Sequence, residues 1–152
     1  MEKIASFTVN HTNLNEGIYI SRIDGDITTY DLRTRKPNTC SLMDHSTMHS
    51  MEHLFATMVR NSELKEDVIY FGPMGCQTGF YLLVRNARHE HVLAVIKQIL
   101  AQIAAYTGEM PGNSAVECGN YTSLNVEAAK KEAKTYLQIL QNKTAADMAY
   151  SN

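Results

Sequence analysis

Cysteine is scarce in this chain of 152 residues: Cys40, Cys76 and Cys118 are odd in number and far apart. Three are too few for a disulfide framework at this length, so they read as thiols in a reducing compartment, open to metal ligation or acid–base work. Neither sign of charge dominates. Fourteen Lys and Arg stand against sixteen Asp and Glu, a net charge of −2 with neutral histidines, whereas phosphate binding relies on a concentrated cationic excess. Nucleic acid is therefore not an expected partner, and a polybasic membrane anchor is equally unsupported. No stretch approaches the roughly 18 apolar residues of a membrane span, and the first ten residues lack the apolar run of a secretory signal. A soluble, cytoplasmic protein with no membrane partner is the reading.

Repeats, low-complexity tracts and Pro/Gly-rich linkers are missing as well, so residues 1–152 are expected to form a single domain. With 44% hydrophobic and 20% charged residues, the chain has enough apolar material for a core. From Gly17 to Arg35 the pattern is that of a hairpin around Asp24-Gly25, a dipeptide suited to positive φ angles. A second strand pair is expected over Asp67–Phe71 and Gly79–Val84, which places Cys76 at the turn between them. Helical spacing predicts helices from about Thr47 to Arg60, capped by Ser46, from His89 to Tyr106, and from Asn125 onward. The fold class is α+β, an antiparallel sheet with helices packed on it.

His49-Ser-Met-Glu52-His53 is the most informative segment. On a helical wheel Met48, Met51, Leu54, Phe55, Met58 and Val59 form a broad buried face. His49, Glu52 and His53 are pressed between that face and a narrow outward edge of Ser50, Thr57 and Asn61. Histidines at i and i+4 lie one turn apart, about 6 Å of rise, and their rings can converge on one ion. Imidazole and thiolate suit a borderline cation such as Zn2+ or Fe2+. Two metal readings remain open on the residues alone. His-x-x-Glu-His is also the inverted zincin motif of metallopeptidases, which needs a downstream carboxylate ligand such as Glu117, Glu127 or Glu132. The other takes Cys118 as third ligand and Cys76 as a reactive group. A non-enzymatic metal-binding protein, or histidines that merely hydrogen-bond in the core, is the plainer alternative.

Five segments taken together resemble one family over nearly the full length. They are Ser6-Phe7 with His11; Tyr30-Asp31-Leu32-Arg33 with Lys36-Pro37-Asn38; His49 to Leu54; Pro73-Met74-Gly75-Cys76-Gln77-Thr78-Gly79-Phe80-Tyr81; and Glu117-Cys118-Gly119. In order and spacing they are similar to the S-ribosylhomocysteine lyase family, LuxS. The resemblance implies a homodimeric enzyme with two active sites at the subunit interface, each built from both subunits. It implies Fe2+, with Zn2+ or Co2+ able to substitute, held by His49, His53 and Cys118. Glu52 and Cys76 correspond to the acid–base pair, and Ser6, His11 and Arg33 to residues that contact substrate or hold the site together.

The implied reaction cleaves S-ribosylhomocysteine to homocysteine and 4,5-dihydroxy-2,3-pentanedione, the precursor of the autoinducer-2 signal. A thioether next to a sugar hydroxyl does not break readily, so the carbonyl must first migrate. Lewis-acid polarisation of the sugar oxygens lets a thiolate and a carboxylate move protons between neighbouring carbons. Two such shifts carry the carbonyl from C1 to C3. The proton on C4 is then acidic, and its loss expels homocysteine thiolate from C5. A free cysteine has a pKa of about 8.5, so Cys76 needs a nearby cation or turn amides to favour its thiolate. Cys40 matches no required position and is expected to be a small, partly buried side chain. Arg33, on pattern alone, reads as a solvated charge on an exposed strand. Tyr70 stands where family members usually carry an aspartate, which implies altered contacts to the amino-acid end of the substrate.

Overall fold

The computed structural model describes residues 1–151. Strands β1 (Gly17–Asp24) and β2 (Ile27–Arg33) form the expected hairpin, and Gly25 adopts φ +60° at its tip. β3 (Val68–Pro73) and β4 (Gly79–Arg85) form a second antiparallel pair. β4 also pairs with β2 along its length, from Ile27 opposite Arg85 to Arg33 opposite Gly79. One four-stranded antiparallel sheet results, in the order β1-β2-β4-β3. Gly79 permits the close approach at the end of that ladder: a Cβ there would run into the Leu32 carbonyl oxygen.

Three helices complete a single small α+β domain: α1 (His45–Val59), α2 (His89–Ala104) and α3 (Val126–Leu140). Alternation along β4 sets the layers. Phe80, Leu82 and Val84 are buried while Tyr81 and Leu83 are only half-covered, as period-2 geometry requires of a sheet with one packed face. On the packed side Phe71 lies between Phe55 of α1 and Phe80, with ring centroids 4.2 and 5.0 Å away. Tyr30, Leu32, Ile96, Ile99 and Tyr136 are fully buried in the same cluster. Each such side chain contributes about 1.5–3 kcal/mol through burial. Among the described residues no helix is long and apolar enough to cross a membrane.

Several local expectations are corrected. α1 begins at His45, two residues earlier than its periodicity suggests, because Asp44 rather than Ser46 is its cap: the Thr47 amide donates to Asp44 Oδ1 at 2.7 Å. Ser46 instead donates to the Ser123 carbonyl, 2.7 Å away. Ser50, assigned above to the outward edge, is fully buried because α3 starts against it, and its Oγ accepts the Asn125 amide at 2.8 Å. Glu132 is buried in α3 because Arg35 pairs with both of its carboxylate oxygens, at 2.9 and 2.6 Å. α2 ends at Ala104 rather than Tyr106. Beyond α3, a short 3-10 helix (Ala145–Asp147) leads to the buried Met148, whose carbonyl accepts the Ile20 amide.

Candidate active site

α1 and the long connection between α2 and α3 build the first half of the site. Residues 105–125 contain only one short 3-10 helix (Tyr121–Ser123), and a connection that long without regular structure usually carries function. It delivers Cys118 to the two α1 histidines. One ligand atom from each of His49, His53 and Cys118 lies within 4.8 Å of the others, and Cys118 Sγ is 3.4 Å from His49 Nε2. The far side of each ring is already engaged. His49 Nδ1 lies 2.7 Å from Ser123 Oγ, and His53 Nδ1 lies 2.7 Å from the Pro111 carbonyl oxygen. Such outer partners fix ring orientation and leave Nε2 for an ion.

The donor set fits a divalent transition metal. Two imidazoles and a thiolate at this spacing match a three-ligand centre with a free coordination position. Gly112, at φ +72°, cradles His53, and a Cβ there would stand 2.9 Å from Nδ1. Burial, and then the neighbouring His53 and His45 rings, push His49 below the ordinary imidazole range. That favours the neutral form that ligation needs. The Asn120 amide donates to Cys118 Sγ at 3.4 Å. Glu52, on the same helix, is half-buried, and burial raises its carboxyl above the usual range against a smaller opposing effect of His53. A half-buried carboxyl beside the histidines is suited to exchanging protons with a bound group.

The carboxylates that an inverted-zincin site would require are committed elsewhere. Glu132 pairs with Arg35, Glu127 with Lys130, and Glu117 accepts from Ser114 Oγ at 2.6 Å. Among the described residues none of them joins the His49, His53 and Cys118 cluster.

A second group of candidate residues gathers around the turn between β3 and β4. The turn after β3 presents an exposed Cys76 into a cavity of about 350 Å3, whose lining includes Ser6, Phe7, His11, Arg33 and Tyr81. Arg33 is not a solvated charge: it is only 2% exposed, and its partner Asp31 is fully buried. Arg33 Nη2 donates to Asp31 Oδ2 at 2.6 Å, and Nη1 donates to Thr78 Oγ1 at 2.7 Å and stands 4.0 Å from Cys76 Sγ. Burial opposes the guanidinium charge, but the Asp31 carboxylate outweighs it and holds Arg33 above its ordinary range. Thr78 Oγ1 is 2.9 Å from Cys76 Sγ. Having accepted from Arg33, which has no acceptor, the hydroxyl turns its own hydrogen toward the sulfur. Cys40 is exposed rather than partly buried, and no cluster includes it.

Ser6, His11, Arg33 and Cys76 thus share one cavity, and His49, His53 and Cys118 one cluster. The two cavities that Cys76 lines include no residue of the cluster and not Glu52. Ser123 and the Pro111 carbonyl escaped sequence reasoning. A serine in a loop and a main-chain oxygen carry no periodic signature. Tyr70 sits on the outer sheet face beside the thiol cavity. It lines a neighbouring cavity of about 300 Å3 that shares Ser6 and Tyr81 with it, and its phenol lies over Gly72.

Two imidazoles and a cysteine sulfur spaced to hold a metal ion, together with an arginine-backed thiol on an α+β scaffold, are the features of a candidate metal-dependent enzyme. Sequence comparison supplies the family. Residues 4–146 match the S-Ribosylhomocysteinase (LuxS) family, and the chain belongs to it, a family of carbon–sulfur lyases. It is 45% identical to the S-ribosylhomocysteine lyase of Finegoldia magna, with 99% of each chain covered. The enzymes of that name from Desulfotalea psychrophila and Clostridium beijerinckii are 43% and 42% identical, over 99% and 100% of each chain.

Proposed function

We propose that this single-domain protein cleaves S-ribosylhomocysteine to homocysteine and 4,5-dihydroxy-2,3-pentanedione, working in the cytoplasm as a homodimer. The observation that carries the reading is the convergence of His49, His53 and Cys118 within 4.8 Å. Fe2+ is the cation assigned to them, with Zn2+ or Co2+ able to substitute. Such an ion supplies Lewis acidity that makes hydrogens beside the substrate carbonyl removable.

The remaining steps fall to side chains of the chain itself. Cys76, as thiolate, takes a proton from one carbon of the open-chain sugar and returns it to the next, aided by the Thr78 hydroxyl and the Arg33 charge. Glu52 exchanges protons with the sugar oxygens and finally with the leaving sulfur. After two carbonyl shifts, removal of the C4 proton breaks the C5–S bond and the electron pair leaves on homocysteine sulfur. Ser6, His11 and Arg33 hold the substrate in the thiol cavity.

A homodimer is the arrangement that reconciles the two half-sites. The rim of the thiol cavities is apolar and open: Phe7 is 70% exposed and Leu42 39%. A second copy seated there covers that surface and brings its metal cluster to Cys76, so that each site draws on both subunits. Tyr70, beside Ser6, alters contacts at the amino-acid end of the substrate. Tyr70→Asp should lower the KM for S-ribosylhomocysteine, and an unchanged KM removes this role. The experiment for the whole reading is thiol release from S-ribosylhomocysteine by anaerobically prepared protein loaded in turn with Fe2+, Zn2+ and Co2+. Homocysteine release in step with metal content is expected. Silence with all three ions overturns the reading.

A further inference from the structure

Behind Arg33 lies a polar chain that the proposed reaction does not use. The segment after α3 turns back over the outer face of the sheet and stacks Tyr150 on Tyr19, with centroids 4.9 Å apart and planes 15° off parallel. From there the Tyr150 hydroxyl donates to Asp31 Oδ2 at 2.6 Å, the same oxygen that receives Arg33 Nη2. Asp31 and Arg33 share this face because they sit at i and i+2 on β2. Two buried atoms in the chain have no partner, Asp31 Oδ1 and Arg33 Nε. They are the unclosed half of the bidentate pair that carboxylate and guanidinium prefer. Closing it requires the carboxylate to turn about Oδ2, the atom that Tyr150 grips, and would draw the guanidinium away from Thr78.

We propose that Tyr150 is a positioning residue for the site: its hydroxyl, acting through Asp31, fixes the Arg33 guanidinium against Thr78 and the Cys76 sulfur. The inference rests on the reading of Cys76 as a proton-transfer group. The structure gives the connection in four short steps, Tyr150 to Asp31, Asp31 to Arg33, Arg33 to Thr78 and Thr78 to Cys76, none longer than 2.9 Å. An unmet buried donor and acceptor ordinarily cost stability. Here they persist because the hydroxyl holds the carboxylate in the orientation that suits the thiol. Within one chain the charged and titratable groups around Cys76 are Arg33 and, behind it, Asp31 on β2, Tyr81 on β4 and His11 on the N-terminal segment, and in the proposed dimer the metal cluster of the second copy joins them. Removing the Tyr150 hydroxyl changes the charge of none of them.

The test uses metal-loaded protein and the variant Tyr150→Phe, which keeps the stacked ring. Iodoacetamide alkylation is followed across a pH series, with peptide mass spectrometry separating Cys76 from the exposed Cys40, which serves as internal reference. With Arg33 loosened, the thiolate loses the guanidinium behind it, so the alkylation midpoint of Cys76 should rise by roughly half a pH unit or more while that of Cys40 stays. In the same variant kcat should fall about three- to tenfold, with KM moving less. A Cys76 midpoint that does not move, or that moves together with that of Cys40, overturns the proposal. Tyr19→Leu separates the hydroxyl from packing, since it removes the stacking partner and leaves the hydroxyl. A larger shift in Tyr19→Leu than in Tyr150→Phe assigns the effect to packing and also overturns it. If the wild-type protein releases no homocysteine, the functional reading fails on its own, and the alkylation midpoints still decide whether Tyr150 reaches the thiol.

Discussion

Cys76 Sγ touches Thr78 and faces Arg33, and none of the candidate metal donors depends on it, so the proposed chemistry and metal binding are separable at single residues. Cys76→Ala should lower kcat by about 10²–10⁴ and leave metal content, read by atomic absorption, at the wild-type level. Wild-type turnover in that variant would remove Cys76 from the reaction. Ser123→Ala acts on the other half of the site. It frees Nδ1 of His49 from its 2.7 Å partner, and metal affinity measured by chelator competition should fall about 10–100-fold; unaltered affinity would show that the serine does not orient the ring. The two histidines were legible in the sequence because a helix fixes the geometry of i and i+4 without help from the rest of the fold. Cys118 was legible only as one of several possible third ligands until its resemblance to a family motif singled it out, since the path of the 105–125 connection is not written in any period. Arg33 was misread on pattern. It is buried against Asp31, which a tyrosine more than a hundred residues away holds in turn, and strand alternation reveals neither partner.

Elements were more legible than the contacts between them. The four strands and three α-helices, though not the short 3-10 helices, follow from period and turn chemistry, because 3.6-residue and 2-residue repeats are local properties of the chain. Their junctions were less so. Asp44 and Ser46 are both good caps within one turn, and the choice between them depends on Ser46 being drawn off to the Ser123 carbonyl. The cap makes a pH prediction. Hydrogen bonds from the Thr47 amide and side chain hold the Asp44 carboxyl below the usual carboxylate range. A depressed folded-state pKa contributes stability that is complete above the unfolded value of about 3.9 and is lost as pH falls through the lower folded value. Asp44→Ala should therefore cost about 1 kcal/mol at neutral pH. That difference should shrink toward zero in urea melts at the acid end of the series. A deficit that is constant with pH would mean the residue does not act as a charged cap. Because α1 carries His49, Glu52 and His53, the same variant should loosen the first turn, where His45 lies against His49 with centroids 5.4 Å apart.

At the scale of the whole molecule, the separation of the thiol cavity from the candidate metal cluster within one chain is what motivates the proposed homodimer, and that proposal makes a quantitative demand. Cys76→Ala and His49→Ala should each be inactive alone, since each removes one half from both sites of its own dimer. Unfolded together and refolded in equal amounts, they should assemble mixed dimers in half of all cases. In a mixed dimer one site lacks both its thiol and its metal, while the other combines the intact thiol of one subunit with the intact metal cluster of its partner. Activity should then recover to about a quarter of the wild-type level. If each subunit instead carried a complete site, every site in every dimer would lack one component and no activity would return. Recovery should also depend on total concentration, falling on dilution as the proposed interface dissociates, whereas metal content should not, since the candidate ligands all lie on α1 and the 105–125 connection of one chain.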